Sequence, residues 1–298
     1  MNLIKKHWLK IVPILAVLGP GIISGSVDND AGGITTYSIA GANFGYTMLW
    51  VLTLTTFCLC ITQEVGARMG LVTGKGLASL IREKFGIRWT AFIMTVLLIA
   101  NLGTIAAEFA GIAASLEILG IAKIISVPIA AVLIYFIIVK GSFKKLERIF
   151  LFTSAFYFVY IISAVLAHPD WLVSAKSLVL PHFLPTKDYF LTVIAVIGTT
   201  ITPWGQFFIQ DYVVDKKLTK DDLNIERVDV FFGSFVTNFI SFFIIIACAA
   251  TIFAVGKSIV DAKDAATALQ PLAGNLASLL FAFGLLNASI FGAALVPV

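Results

Sequence analysis

Residues 25–36 read GSVDNDAGGITT, and they place Asp28 and Asp30 inside a run from Ile11 to Ala42 that is otherwise almost free of charge. Such a run is long enough to cross a bilayer, whose hydrocarbon core of about 30 Å takes about 20 apolar residues. A carboxylate at the centre of a membrane helix costs about 2.5–3.5 kcal/mol on insertion scales, so an acid at that depth needs a physical reason. Gly32 and Gly33 leave the backbone permissive, and the segment reads as a helix broken at membrane depth. Lipid penalises the N–H and C=O groups that a break sets free, so the break must face protein or a watery cavity.

The rest of the chain fits that setting. Of 298 residues, 59% are hydrophobic and 13% charged, and the mean hydropathy is +0.98, whereas soluble domains are roughly 45–50% apolar. The sequence therefore describes an all-α polytopic membrane protein. Apolar runs place spans near residues 11–41, 44–64, 89–118, 121–139, 148–167, 189–213, 229–255 and 266–298. The last run is still apolar at LNASIFGAALVPV, and the expectation is a chain truncated in span eight. The first run is too long for the apolar core of a cleavable signal.

Lysine and arginine favour cytoplasmic loops. With the N-terminus inside, the cytoplasmic segments hold most of the 21 basic residues, in clusters such as Lys140, Lys144, Lys145 and Arg148, while Lys123, Lys176, Lys187, Lys257 and Lys263 fall outside. The net charge of +4 follows from this bias and implies no nucleic acid. Cys58, Cys60 and Cys248 lie in spans and read as small apolar side chains rather than as a disulfide or metal set.

Span six carries a second interruption, IGTTITPWGQFF, with Pro203 between Gly198 and Gly205. Proline removes a backbone donor and clashes with the preceding turn. Interrupted spans at corresponding places in two halves point to a transporter site between inverted repeats. The expected organisation is a cytoplasmic tail at 1–10, a first repeat of five spans at 11–167, an extracellular loop at 168–188 and an incomplete second repeat at 189–298.

Asp30 could cap the second half-helix of span one or bind a cation, and the matching break in span six favours the cation. Asp28 could touch the ion directly, or line the cavity and solvate the ion from behind. Glu108, in ANLGTIAAEFAG, could lie on an ion path or bond between helices. Glu64 and Glu117 sit near span ends and read as solvated. The spans hold no histidine, and neither break holds Cys or Met. Candidate ligands are thus oxygens: Asp30, Asp28, Thr202, Thr199, Gln206 and carbonyls freed by unwinding. Thr202 could equally serve the backbone beside Pro203. A site made only of oxygen suits the hard cations Mg, Ca and Mn.

The stretches GPGIISGSVDNDAGGITTYSIAGANFGYTMLW, QEVGARMGLVTGKGLASLIREKFG and IGTTITPWGQFFIQ resemble the first, second and sixth spans of the NRAMP family of divalent-metal transporters. The resemblance is most specific at Ala67–Ala78, and it implies a LeuT-type fold of inverted repeats. The family's Asp-Pro-Gly-Asn metal signature falls on Asp30-Ala31-Gly32-Gly33, so the aspartate is kept and the asparagine has become Gly33. Its Met-Pro-His signature falls on Thr202-Pro203-Trp204, which replaces a thioether ligand with Thr202 and a histidine linked to proton movement with Trp204. Thr199 falls where the family offers a backbone carbonyl. The family's Asp-x-x-Glu proton route falls on Ile105–Glu108, with only the glutamate retained.

Loss of the soft ligand removes the main means of preferring Mn or Fe over Mg. Loss of two side chains enlarges the cavity, and Mg dehydrates reluctantly. This pattern is similar to that of the NRAMP-related magnesium transporters. The expectation is a multi-pass plasma-membrane carrier importing Mg2+ and Mn2+, without evident proton coupling, whose partners are divalent ions and the lipid bilayer and which needs no cofactor beyond the ion it carries. The competing readings are a proton-coupled Mn2+/Fe2+ importer and a sodium-coupled organic-solute symporter of the same architecture. A membrane enzyme is disfavoured, because the sequence holds no HExxH and no intramembrane Ser/His pair.

Overall fold

A computed structural model of the chain describes residues 29–140 and 157–297. Asp28, the first half of span one and the start of span five lie outside the described residues. The described elements are all helical: α1 (Ala31–Phe44), α2 (Leu49–Thr73), α3 (Leu77–Phe85), α4 (Ile87–Ile118), α5 (Lys123–Lys140), α6 (Phe158–Leu166), α7 (Trp171–Val179), α8 (Lys187–Thr200), α9 (Pro203–Asp215), α10 (Leu223–Thr251) and α11 (Ala262–Leu295). Short 3₁₀ turns join α1 to α2, precede α10 and follow it.

Among these residues, 6 stretches are long and apolar enough to cross a membrane. The first, Ala31–Thr73, holds the second half of span one and all of span two. Helix α6 is the described end of span five. Large apolar side chains point outward, among them Phe57, Ile61, Phe92, Ile99 and Ile194. They present the face that lipid would wet.

Helix α1 sits at the centre, packed against α4, α8, α10 and α11. Ile34, Tyr37 and Ala40 on it are fully buried. In lipid there is little water to expel from between helices, so cohesion comes from close packing and interhelical hydrogen bonds. Tyr37 supplies both, since its ring lies in the core and its hydroxyl stands 2.9 Å from Thr200 Oγ1 on α8. The two spans expected to be broken are therefore tied together directly.

The ARMGLVTGKGLA stretch forms the contact between α2 and α9. Ala67 and Leu71 join Ile209, Val213 and Val230 in one apolar cluster. Helix α2 stops at Gly74, whose φ of 64° places it in the left-handed region open to glycine. The Lys75 carbonyl just beyond accepts from Gln210 Nε2 at 2.8 Å, which locks the turn beneath α9.

Three expectations need correction. Helix α2 runs to Thr73 rather than ending near residue 64, because nothing in QEVGARMGLVT breaks it before Gly74. Glu64 is therefore inside a helix and not solvated: its side chain is only 12% exposed and pairs with Arg227 at 2.8 Å and with Arg68 at 3.4 Å. Glu117, by contrast, stays solvent-accessible at the end of α4 as expected, and it pairs with Lys263 at 2.9 Å, which raises the pKa of the Lys263 ammonium above its ordinary value. The segment 168–188 is not a plain loop, since α7 forms within it, capped by Asp170 Oδ1, which accepts from Leu172 N and Val173 N at 3.0 Å each.

A cation site candidate between two capped breaks

The backbone at the start of α1 is extended at Asp30, with φ −68° and ψ −177°, and turns helical at Ala31. Asp30 is the N-cap: its Oδ1 accepts from Gly33 N at 2.6 Å. A helix start leaves four N–H groups unpaired, and a carboxylate there also meets the positive end of the helix dipole. Glu108 Oε2, from the middle of α4, accepts from Ala31 N at 3.3 Å and so serves a second of these donors.

Span six breaks between α8 and α9. Ile201 and Thr202 leave helical geometry, and Pro203 occupies the first turn of α9, where its missing N–H is no loss. Thr202 is the cap, its Oγ1 accepting from Gly205 N at 3.2 Å. The expected service to the backbone beside Pro203 is thus present, and the same residue also lines a cavity.

That cavity measures about 330 Å³ and lies between the two breaks and α4. Asp30, Thr199, Thr202 and Trp204 line it, joined by Gly32 and, from α4, by Asn101 and Thr104. Asp30 is itself only 6% exposed, so its charge is sheltered while the cavity stays within reach. Trp204 stacks on Phe208 with ring centroids 4.5 Å apart and lends the cavity an apolar wall.

Gly33 does not line the cavity; it contributes the N–H that Asp30 caps. Gln206 does not line it either, and its Nε2 is buried without a hydrogen-bond partner among the described residues. Glu108 is fully buried beside Asp30, within hydrogen-bonding reach of it, rather than in the cavity wall. Gly292 of α11 makes room for it, because a Cβ there would come within 2.5 Å of the Glu108 carboxyl carbon. Two carboxyl groups in contact and away from water repel each other when both are charged, so the pair calls for a cation or a proton.

Among the described residues no group of three or more His, Cys, Asp or Glu could enclose a metal ion. Among the described lining residues, an ion in this cavity would meet the Asp30 carboxylate, threonine hydroxyls and the Asn101 amide, with room left for water. That donor set is hard, and the volume leaves room for several waters at roughly 30 Å³ each. The cavity residues from α4 were missed in the sequence, although a signal was present. Asn101, Thr104 and Glu108 are spaced three and four apart, which puts polar groups on one face of an otherwise apolar helix.

Residues 21–298 match the family described as Nramp, natural resistance-associated macrophage protein-like. The chain belongs to the Nramp family. It is 27% identical over 288 residues to the divalent metal cation transporter MntH of Yersinia enterocolitica, covering 93% of this chain and 69% of that protein. With MntH of Pectobacterium carotovorum it shares 28% over 289 residues, covering 93% and 68%. These relatives are named as transporters, not enzymes. Among solved structures, a mutant of the Eremococcus coleocola manganese transporter superposes with a TM-score of 0.72 at 20% identity, covering 94% of this chain and 63% of that one. The same transporter bound to an aromatic bis-isothiourea substituted compound gives 0.70 at 21% identity. The fold is thus that of the Nramp transporters, the LeuT-type arrangement, and the chain spans 63% of the solved chain's length.

Proposed function

We propose that this Nramp chain is part of a divalent-cation carrier of the plasma membrane, with its N-terminus cytoplasmic, that takes Mg2+ and Mn2+ inward by alternating access. The ion would sit in the cavity between the capped ends of α1 and α9. Asp30 would supply the charge, Thr202 and Thr199 would supply oxygens with the carbonyls of the break, and water would fill the remaining positions. The single observation that carries this reading is the donor set of that cavity, which among the described residues is one carboxylate with hydroxyls and no sulfur or imidazole. Such a set discriminates little against Mg2+, which keeps much of its water. A membrane potential negative inside contributes about 2.3 kcal/mol per charge per 100 mV toward entry, so uptake needs no proton gradient.

A second reading, a proton-coupled Mn2+ importer, draws support from Glu108, an acid in contact with Asp30, and from relatives named as manganese transporters. Uptake of Mg2+ and Mn2+ into proteoliposomes, with internal pH recorded at the same time, separates the two. We expect both ions to enter with internal pH steady. Acidification in step with ion entry would establish coupling, and Mn2+ entry without Mg2+ entry would sink the magnesium reading.

A further inference from the structure

Asn29 stands immediately before Asp30 and is fully buried. A buried primary amide with unmet donors and acceptors is costly, so its partners report what holds it in place. Both ends of the side chain are paired, and both partners lie on α10. Nδ2 donates to the Thr237 carbonyl at 3.0 Å, and Oδ1 accepts from Ser241 Oγ at 2.9 Å. Ser241 Oγ is also 3.0 Å from the Thr237 carbonyl. The hydroxyl has one proton, so when it serves Asn29 the carbonyl is still served by the Asn29 amide. The three groups close one small ring on the Thr237–Ser241 turn of α10, and Ser234 and Asn238 on the same stretch are buried with them.

We infer that Asn29 is a positioning residue for the cation site, because it clamps the peptide before Asp30 to α10 and so fixes where the Asp30 carboxylate points. This rests on the reading of the cavity as a cation site. Asp30 is held on its other side by its own cap to Gly33, and its backbone is extended between the two anchors. With the cap alone, the carboxylate keeps one oxygen on Gly33 N, and among the described residues the peptide before Asp30 has no anchor on another helix. With Asn29 in place, that peptide is anchored to α10. A neutral amide does this without adding a second charge next to Asp30, whereas an aspartate would turn a carboxylate toward the Thr237 carbonyl.

The test is calorimetric titration of Mn2+ into the full purified chain in nanodiscs, which reads the dissociation constant and the number of sites per chain separately. Misfolding lowers the number of sites; a displaced ligand raises the constant. Asn29→Ala is expected to raise the constant about tenfold with the number of sites unchanged, the scale of one or two net hydrogen bonds. Ser241→Ala, which removes one arm, should raise it about threefold, and Ser241→Thr, which keeps the hydroxyl, should restore it. A wild-type constant in Asn29→Ala overturns the inference. Should Asn29→Ala fail to fold, Ser241→Ala decides: an unchanged constant there overturns the inference. Asp30→Ala is run alongside, since undiminished binding in that variant would sink the cation-site reading itself, whatever Asn29 does.

Discussion

The starts of α1 and α9 answer the same backbone problem with different chemistry. Each helix begins inside the membrane and each has a side-chain cap, but Asp30 caps with a carboxylate at 2.6 Å and Thr202 with a hydroxyl at 3.2 Å. Both helices then turn the capping residue toward one cavity. On the function proposed above, the difference would divide the labour: α1 would bring the charge that draws a cation in, and α9 would bring neutral oxygens and an apolar wall around it.

Removing the charged side should have the largest effect. Asp30→Ala is expected to abolish Mg2+ uptake in proteoliposomes while the protein still reaches the membrane; retained uptake would mean that the ion site lies elsewhere. Changing the neutral side should alter selectivity before it alters rate. Thr202→Met puts a soft thioether in place of the hydroxyl, and we expect the ratio of Mn2+ to Mg2+ uptake to rise about tenfold, a preference of about 1.4 kcal/mol. An unchanged ratio would show that Thr202 does not face the ion. Two further changes probe what keeps the charged side in place. Gly292→Ala pushes a methyl group into Glu108, and a loss of about 1–3 kcal/mol in unfolding free energy is expected, read by chemical denaturation in detergent. Tyr37→Phe removes only the hydroxyl that joins the two broken spans through Thr200, so the same measurement should fall by about 1 kcal/mol.

How far the sequence anticipated this arrangement differs between the two breaks. At span six the proline, the flanking glycines and the threonines placed the interruption at the residues where α8 ends and α9 begins, because proline acts locally. The local pattern at span one likewise marked Asp30 as an acid at a helix start, and cap and cavity-lining positions turned out to be compatible. What the local pattern could not show is contact across the fold. Asn29 meets Thr237 and Ser241, Glu108 meets Ala31 and Gly292, and Glu64 meets Arg227, each partner brought close only by helix packing. The helix hidden in the 168–188 segment is a different case. Asp170 before Trp171 was a readable cap, but nine residues between prolines and aromatics gave too short a period to outweigh the loop signals.

In the proposed cation site it is the Asp30 carboxylate, and not merely its capping bond, that would hold the ion. Asp30→Asn separates the two, since an asparagine keeps an oxygen for Gly33 N and caps a helix about as well, yet carries no charge. The variant should unfold in chemical denaturant as the unaltered chain does, and calorimetric titration of Mg2+ into it should show no measurable binding. Mg2+ binding at the affinity of the unaltered chain would contradict the claim.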